Sequence, residues 1–272
     1  MTSILRILAP LLALLSATPL AAHEFWISPQ AYRIALGEAI LADLRVGQDF
    51  GGSTYAFMPP RFDRFDQLTS AGLTPVPGRI GDKPAVTSPD APEGLVVLIH
   101  ESTDSELTYR DFNKFIAFAA HKDFTWAVEE HAARGLPEFN FRETYRRHAK
   151  TLIAVGGGAG ADERIGMDFE LVALANPYTD DLSNGMPVQL WKGDAPLADT
   201  QIELFAKDAD GVVTITKHRT DANGTTLLPM LPDTEYLVDA VILEPRTAVD
   251  VTKDEVWHSD WAALTFKTGP AL

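Results

Sequence analysis

Two features bear hardest on what this chain can become: a leader that marks it for export, and not one cysteine in 272 residues. Exported chains short of apolar surface usually rely on disulfides for stability. This one has none to form, so it must close an ordinary hydrophobic core, and 46% hydrophobic residues against 22% charged supply one. The missing thiols also exclude thiolate zinc sites, iron–sulfur clusters and a cysteine nucleophile. Any metal must be held by nitrogen or oxygen.

The leader is read directly from its order. Arg6 supplies the positive end, Ile7 to Leu15 an apolar run, and Thr18 to Ala22 a small-residue cleavage region. This is the pattern of a secretory signal peptide, residues 1–22, and its apolar run is too short for a spanning helix. A retained anchor is the competing reading. Cleavage after Ala22 makes His23 the first residue of the mature chain. Only Arg6 is lost among the charges, so the net charge moves from −15 to −16. No later stretch approaches 18 continuous apolar residues, which leads us to expect a soluble periplasmic protein. The acidic balance argues against a nucleic-acid partner, since phosphate binding needs a basic surface.

The length suggests two domains. Short alternating runs bounded by Gly and Pro predict strands, so the fold class is mainly β, with two antiparallel β-sandwich modules of Ig-like or prealbumin-like type. We place them at 23–165 and 166–272. In the first, Tyr32 to Leu36, Ala39 to Val46, Phe65 to Leu68, Val76 to Ile80 and Leu95 to His100 read as strands, with a loop-rich segment over 47–62. In the second, seven short strands run from Phe169 to Phe266. Between about 105 and 150 the period changes. Phe112, Phe115, Ile116 and Ala119 predict one helix, and Phe124, Ala127, Val128 and Ala132 a second. Phe141, Tyr145, His148 and Ala149 suggest a third. Gly156-Gly-Gly158 lacks the Gly-Lys-Ser/Thr ending of a phosphate loop.

Several segments in order, His23-Glu-Phe-Trp-Ile27, Leu44-Arg-Val-Gly47, Glu143-Thr-Tyr-Arg-Arg-His-Ala-Lys-Thr-Leu-Ile-Ala-Val-Gly156, Glu170-Leu-Val-Ala-Leu-Ala-Asn-Pro177 and Trp261-Ala-Ala-Leu-Thr-Phe266, give the chain a family likeness. It resembles the periplasmic NikK/NikM-like nickel-uptake-associated family, a domain-of-unknown-function family. The resemblance implies two sandwich modules and an extracytoplasmic role near transition-metal uptake. Residues 193–243, with Gly193-Asp-Ala-Pro-Leu and Thr220-Asp-Ala-Asn-Gly-Thr225, are similar to carboxypeptidase-regulatory-like sandwiches, which implies a structural or interaction module there.

The chemistry that the residues themselves offer centres on His23. An N-terminal histidine presents its α-amine and Nδ1 to one ion, closing a six-membered chelate. A second imidazole would complete a planar nitrogen set suited to Cu(II) or Ni(II). The amine must lose its proton, and a reference pKa of about 7.7–8 allows that near neutral pH. For the second imidazole we consider His100, at the end of a core strand beside Glu101, and His121 and His131, ten residues apart. Those two need a kink near Lys122-Asp123 to converge, because ten residues fall about 80° apart on a straight helix. His148, His218 and His258 are weaker candidates, better read as packed side chains. The commonest fate of any of these is a satisfied core or surface histidine.

Seven histidines and four methionines beyond Met1 do not make a metal sponge, so one defined site is the most to expect. No Gly-x-Ser-x-Gly, His-Glu-x-x-His or Gly-x-Gly-x-x-Gly motif is present. The expectation is therefore a non-enzymatic protein that binds one nickel or copper ion and assists uptake or delivery. A membrane transporter or outer-membrane receptor would be its partner. Two alternatives stand: an interaction or carrier module without metal, and a histidine-brace copper oxidase.

Overall fold

The computed structural model describes residues 23–269; the expected signal peptide lies outside them. The chain is mainly β, as expected, with two short helices. Its centre is a ten-stranded sheet. In spatial order it runs Val213–Arg219, Gln201–Lys207, Glu235–Pro245, Glu255–Lys267, Phe141–Val155, Gly94–Ser102, Phe62–Thr69 and Gly72–Pro75, and two further short strands pair with Phe141–Val155. Strands from both halves of the chain meet in this sheet. Phe141–Val155 and Glu255–Lys267 pair in parallel, Ala149 opposite Ala263 and Thr151 opposite Thr265.

Two four-stranded sheets cover its two faces. The first, built on Glu24–Pro29 and Ile40–Gln48, packs Trp26, Ile27, Ile40 and Leu44 against Leu98, Ile153, Phe205 and Leu237. The second, built on Phe169–Ala173 and Met186–Lys192, packs Phe169, Leu171, Val188 and Leu190 against Val97, Leu152, Leu204 and Val238. The alternation of side chains along a strand explains the division: odd positions of Phe141–Val155 face the first sheet, even positions the second. With both faces covered, residues 148–155 are all buried, and Leu152 to Val155 read as one apolar run. The two sandwiches therefore share their middle layer.

Where the central sheet projects beyond the first sheet, a helical hairpin seals it. Helix α1 (Phe112–His121) starts at Asp111, whose carboxylate accepts from the Asn113 N–H. Helix α2 (Thr125–Ala133) follows after a sharp turn, and both pack on Phe141, Trp257 and Trp261. The insertion thus contains two helices. The expected third, around Phe141, Tyr145 and Ala149, is a strand. A spacing of four fits the helical period, but it is also two strand repeats, and the partners on both sides, Glu255–Lys267 on one and Ser105–Tyr109 with Gly94–Ser102 on the other, decide between them. The short strand expected at Val76–Ile80 lies earlier, at Gly72–Pro75, and the loop-rich 47–62 segment contains the strand Gly51–Tyr55. Among the described residues no helix is long and apolar enough to cross a membrane.

Candidate metal centre

Glu203 and Asp239 sit opposite each other on adjacent strands, on the face turned toward the first sheet. They occupy positions where the strand alternation would otherwise place apolar side chains, in line with Phe205 and Leu237. Glu24, second in the expected mature chain, comes down on them from the strand Glu24–Pro29. That strand is held over the central sheet by a hydrogen bond from Thr265 Oγ1 to the Ile27 carbonyl, 2.7 Å. One oxygen from each of the three acids falls within 4.8 Å of the others, and all three are buried.

A lysine closes the cluster. Helix α1 ends at Lys122, and Asp123 at φ 69° reverses the chain into α2. The turn is pinned from the sheet, since Gln201 and Lys217 donate to the His121 carbonyl and Arg219 pairs with Asp123. Lys122 is thereby driven inward. Its ammonium lies 2.5 Å from Glu203 Oε2, 2.8 Å from Asp239 Oδ2 and 3.5 Å from Glu24 Oε1, and 5.0 Å from the centre of the Trp261 ring. His121, on the same turn, places Nε2 2.9 Å from Glu203 Oε1 while its ring stays half exposed.

Lys217 reaches Glu203 Oε1 from the surface at 3.6 Å, which leaves the one buried ammonium, Lys122, to serve Glu24 and Asp239 as well. Burial, and then the charge of Asp239, push the Glu24 carboxyl from an ordinary 4.5 up to about 7 against the pull of Lys122. Burial, with the charge of Glu203, also raises Asp239. Glu203 goes the other way: burial is outweighed by the His121 hydrogen bond and by Lys122, which hold it down at about 2. Glu24 Oε2 and Asp239 Oδ1 are left buried with no hydrogen-bond partner, an arrangement that costs free energy unless something fills it.

A second buried lysine shows what a complete cluster looks like. On the opposite face, Lys150 pairs with Asp162 at 2.9 Å and Glu170 at 2.7 Å. The same two carboxylates also accept backbone N–H groups from Glu163, Ala173, Ile165, Gly166 and Met167. Every oxygen there has a hydrogen-bond partner; in the Lys122 cluster Glu24 Oε2 and Asp239 Oδ1 have none, and Glu203 Oε1 is met only by its ion contacts with His121 and Lys217.

The sign of the pH dependence follows. A carboxyl raised in the folded state stabilises below its unfolded value, and that stability is lost as pH climbs through the folded value. Metal-free protein should lose on the order of 3 kcal/mol through Glu24 between about pH 4.5 and 7. Below that window the loss comes instead from Glu203, whose carboxyl is depressed. Urea unfolding in EDTA at pH 5 and pH 7.5 measures this; a protein no weaker at 7.5 contradicts it.

The expected ligands divide. His121 borders the cluster through its contact with Glu203. His23 is half-buried and one residue from Glu24, and its carbonyl accepts from Arg147 at 3.2 Å. His100 is caged by the rings of Phe25, Phe62 and Phe65 at 4.8–5.2 Å, with neither nitrogen hydrogen-bonded. Burial and the nearby positive charge of Arg147 lower it to about 3, so it is neutral. His131 accepts from the Trp257 indole at Nδ1 and donates from Nε2 to the Pro137 carbonyl, both 3.1 Å. Both of its nitrogens serve the hairpin core, so the break at Lys122-Asp123 brings a lysine, not His131, toward His121. Glu24, Lys122, Glu203 and Asp239 were not among the residues expected from sequence.

The structure thus defines a three-layered β protein with a buried, over-acidic cluster beneath its first strand. The chain belongs to the family described as Domain of unknown function (DUF4198), whose sequence profile matches residues 20–244. No curated protein matches it. Among solved structures it is similar to a tetra-tandem repeat in the extending region of a large adhesion protein, with 13% identity over 90% of this chain and a TM-score of 0.22. It spans about half, 49%, of that structure. The D0-D1 domain of intimin shows 15% identity over 88% of this chain and 96% of that one, with a TM-score of 0.21.

Proposed function

We propose that the mature protein is a periplasmic nickel- or copper-binding protein that assists metal uptake or delivery. The metal would sit where Glu24, Glu203 and Asp239 converge. The observation that carries this reading is the pair of orphaned buried oxygens, Glu24 Oε2 and Asp239 Oδ1, in a cluster of three acids that holds one buried lysine, Lys122, with Lys217 reaching only Glu203 from the surface at 3.6 Å. A divalent ion supplies both the missing charge and the missing partners. His121 adds an imidazole from the same turn, and the His23 amine, generated by cleavage after Ala22, would add a nitrogen beside its own imidazole one residue from Glu24. A mixed nitrogen and carboxylate set suits Ni(II) and Cu(II), and copper leads in intrinsic affinity. The ligands bind deprotonated, so loading releases protons and tightens with pH.

The test is equilibrium titration of the mature protein with Ni(II) and Cu(II), beside the double variant Glu203→Gln and Asp239→Asn. The substitutions keep shape and remove charge. They should weaken binding by at least about 10-fold, or ~1.4 kcal/mol. Unchanged affinity in the variant moves the metal elsewhere.

A further inference from the structure

On the face opposite the helical hairpin, the central sheet also outruns its covering layer. There the second sheet ends at Asp168 and Lys192, and a cleft of ≈ 350 Å³ opens over the strands Glu235–Pro245, Glu255–Lys267 and Phe141–Val155. This volume is at the small end for a ligand site, and none of its lining residues is apolar. The helices fix the floor from behind by packing on Trp257 and Trp261, which point the other way from their neighbours His258 and Asp260.

The floor is charged and locked. Asp260, 2% exposed, is 3.2 Å from His148 Nε2 at one oxygen and 2.7 Å from the Lys192 ammonium at the other. His258, also buried, lies 2.9 Å from Thr144 Oγ1 through Nδ1. The walls are locked too. Arg146 pairs with Asp104 and Asp63 at 2.9 and 3.0 Å, and Lys192 reaches Asp168 at 2.5 Å.

Two lining groups stand apart from this network. Glu244 lies opposite His258 in the sheet register, half-buried, and Arg246 follows at the end of the same strand, exposed. The backbone of Arg246 is pinned at both polar atoms: its N–H donates to the Val256 carbonyl, and its carbonyl accepts from Arg134. Among the described residues, neither the Glu244 carboxylate nor the Arg246 guanidinium has an ion-pair partner within 4.0 Å, each other included. The cleft therefore offers one uncommitted anion and one uncommitted cation on a rigid, wholly polar surface.

We propose that this cleft binds a small zwitterion of the α-amino-acid type. The ligand's ammonium would go to Glu244, and its carboxylate would take the fork of Arg246. A guanidinium is well matched to a carboxylate, because two parallel N–H groups meet its two oxygens. A ligand carrying only one of the two charges leaves the other protein group unanswered and gains half the contacts. The site is independent of the acidic metal cluster, which faces the other side of the sheet.

Isothermal titration calorimetry of the mature protein in EDTA tests this with glycine, L-glutamate and L-arginine, and with acetate and methylammonium as single-charge probes. At least one amino acid should saturate with a dissociation constant below about 1 mM, and both probes should bind at least about 10-fold more weakly. Glu244→Gln and Arg246→Gln should each weaken the best amino acid by about 10-fold or more, the scale of a charge-assisted hydrogen bond. Neither side chain supports the core, and circular dichroism checks that both variants fold. Glu203→Gln with Asp239→Asn should leave amino-acid binding unchanged. The proposal is overturned if no amino acid saturates by ~10 mM, if a single-charge probe binds as well, or if either cleft substitution is silent.

Discussion

Replacing Lys122 by Met should weaken metal-free protein by ~3–5 kcal/mol, because removing one partner from a buried ion cluster leaves the others uncompensated. At roughly 2–4 °C per kcal/mol for a chain of this size, the unfolding midpoint falls by about 6–20 °C. The informative part is what metal does next. Lys122 sits within 3.5 Å of all three acids, in the position that a bound cation would take. Metal must displace it, so the lysine is an internal competitor. In Lys122→Met that competition is gone, and Ni(II) or Cu(II) should restore most of the lost stability and bind more tightly than to the wild type. Calorimetric scans of both proteins, with EDTA and with excess metal, make the comparison. If metal raises the variant's midpoint no more than the wild type's, the lysine is a structural counter-ion and the metal reading of this cluster fails.

The contrast with Lys150 sharpens that expectation. Its two acids take five backbone N–H groups as well as the ammonium, so a metal has nothing to supply there. Lys150→Met should be destabilised to a similar degree with no rescue by metal. Two buried lysines with opposite predicted responses separate metal binding from a general salt effect.

What the sequence made legible followed the strength of its periodicity. The strands Gly94–Ser102, Gln201–Lys207 and Glu235–Pro245 and helix α1 carry apolar residues whose period has one reading. Phe141–Val155 has two readings, and only its pairing with other segments, Ser105–Tyr109 and Gly94–Ser102 before it and Glu255–Lys267 after it, selects the strand. The sharing of one middle sheet by both halves is hidden for the same reason, because parallel pairing is a long-range fact with no local signature. Part of the proposed site came from the sequence as an expectation: a histidine at an expected cleavage point would offer an amine-and-imidazole chelate on chemical grounds alone. The acids did not, since Glu203 and Asp239 look like ordinary strand carboxylates. Their signal was parity. Glu203 is two residues from Phe205, and Asp239 lies two from Leu237 and Val241, so each carboxylate points into an apolar layer. A charge at an inward position is costly unless paired, and it marks a site once the strand's phase is known. His131 failed as a candidate because residue type cannot show that Trp257 and Pro137 have already taken both of its nitrogens.

Acetylating the His23 α-amine of the mature chain should lower the affinity for Ni(II) or Cu(II) by roughly 100-fold, about 2.7 kcal/mol. Acetylation changes no side chain of the cluster; it converts the His23 amine into an amide and leaves no neighbouring amine to anchor an ion that would displace the amide proton. An amide nitrogen keeps its proton near neutral pH and is a poor ligand, so the six-membered chelate with Nδ1 is lost. The carboxylates of Glu24, Glu203 and Asp239 and the imidazole of His121 remain, so weak binding should persist and the midpoint in EDTA should not move. Titration of the two mature forms, each confirmed by intact mass, separates three cases. A large loss with residual binding assigns the ion to the terminal amine and the acids together. Equal affinity removes the amine and leaves an acid-and-His121 site, which suits harder cations better than copper. No binding in either form removes metal altogether and returns the chain to the reading of an interaction module.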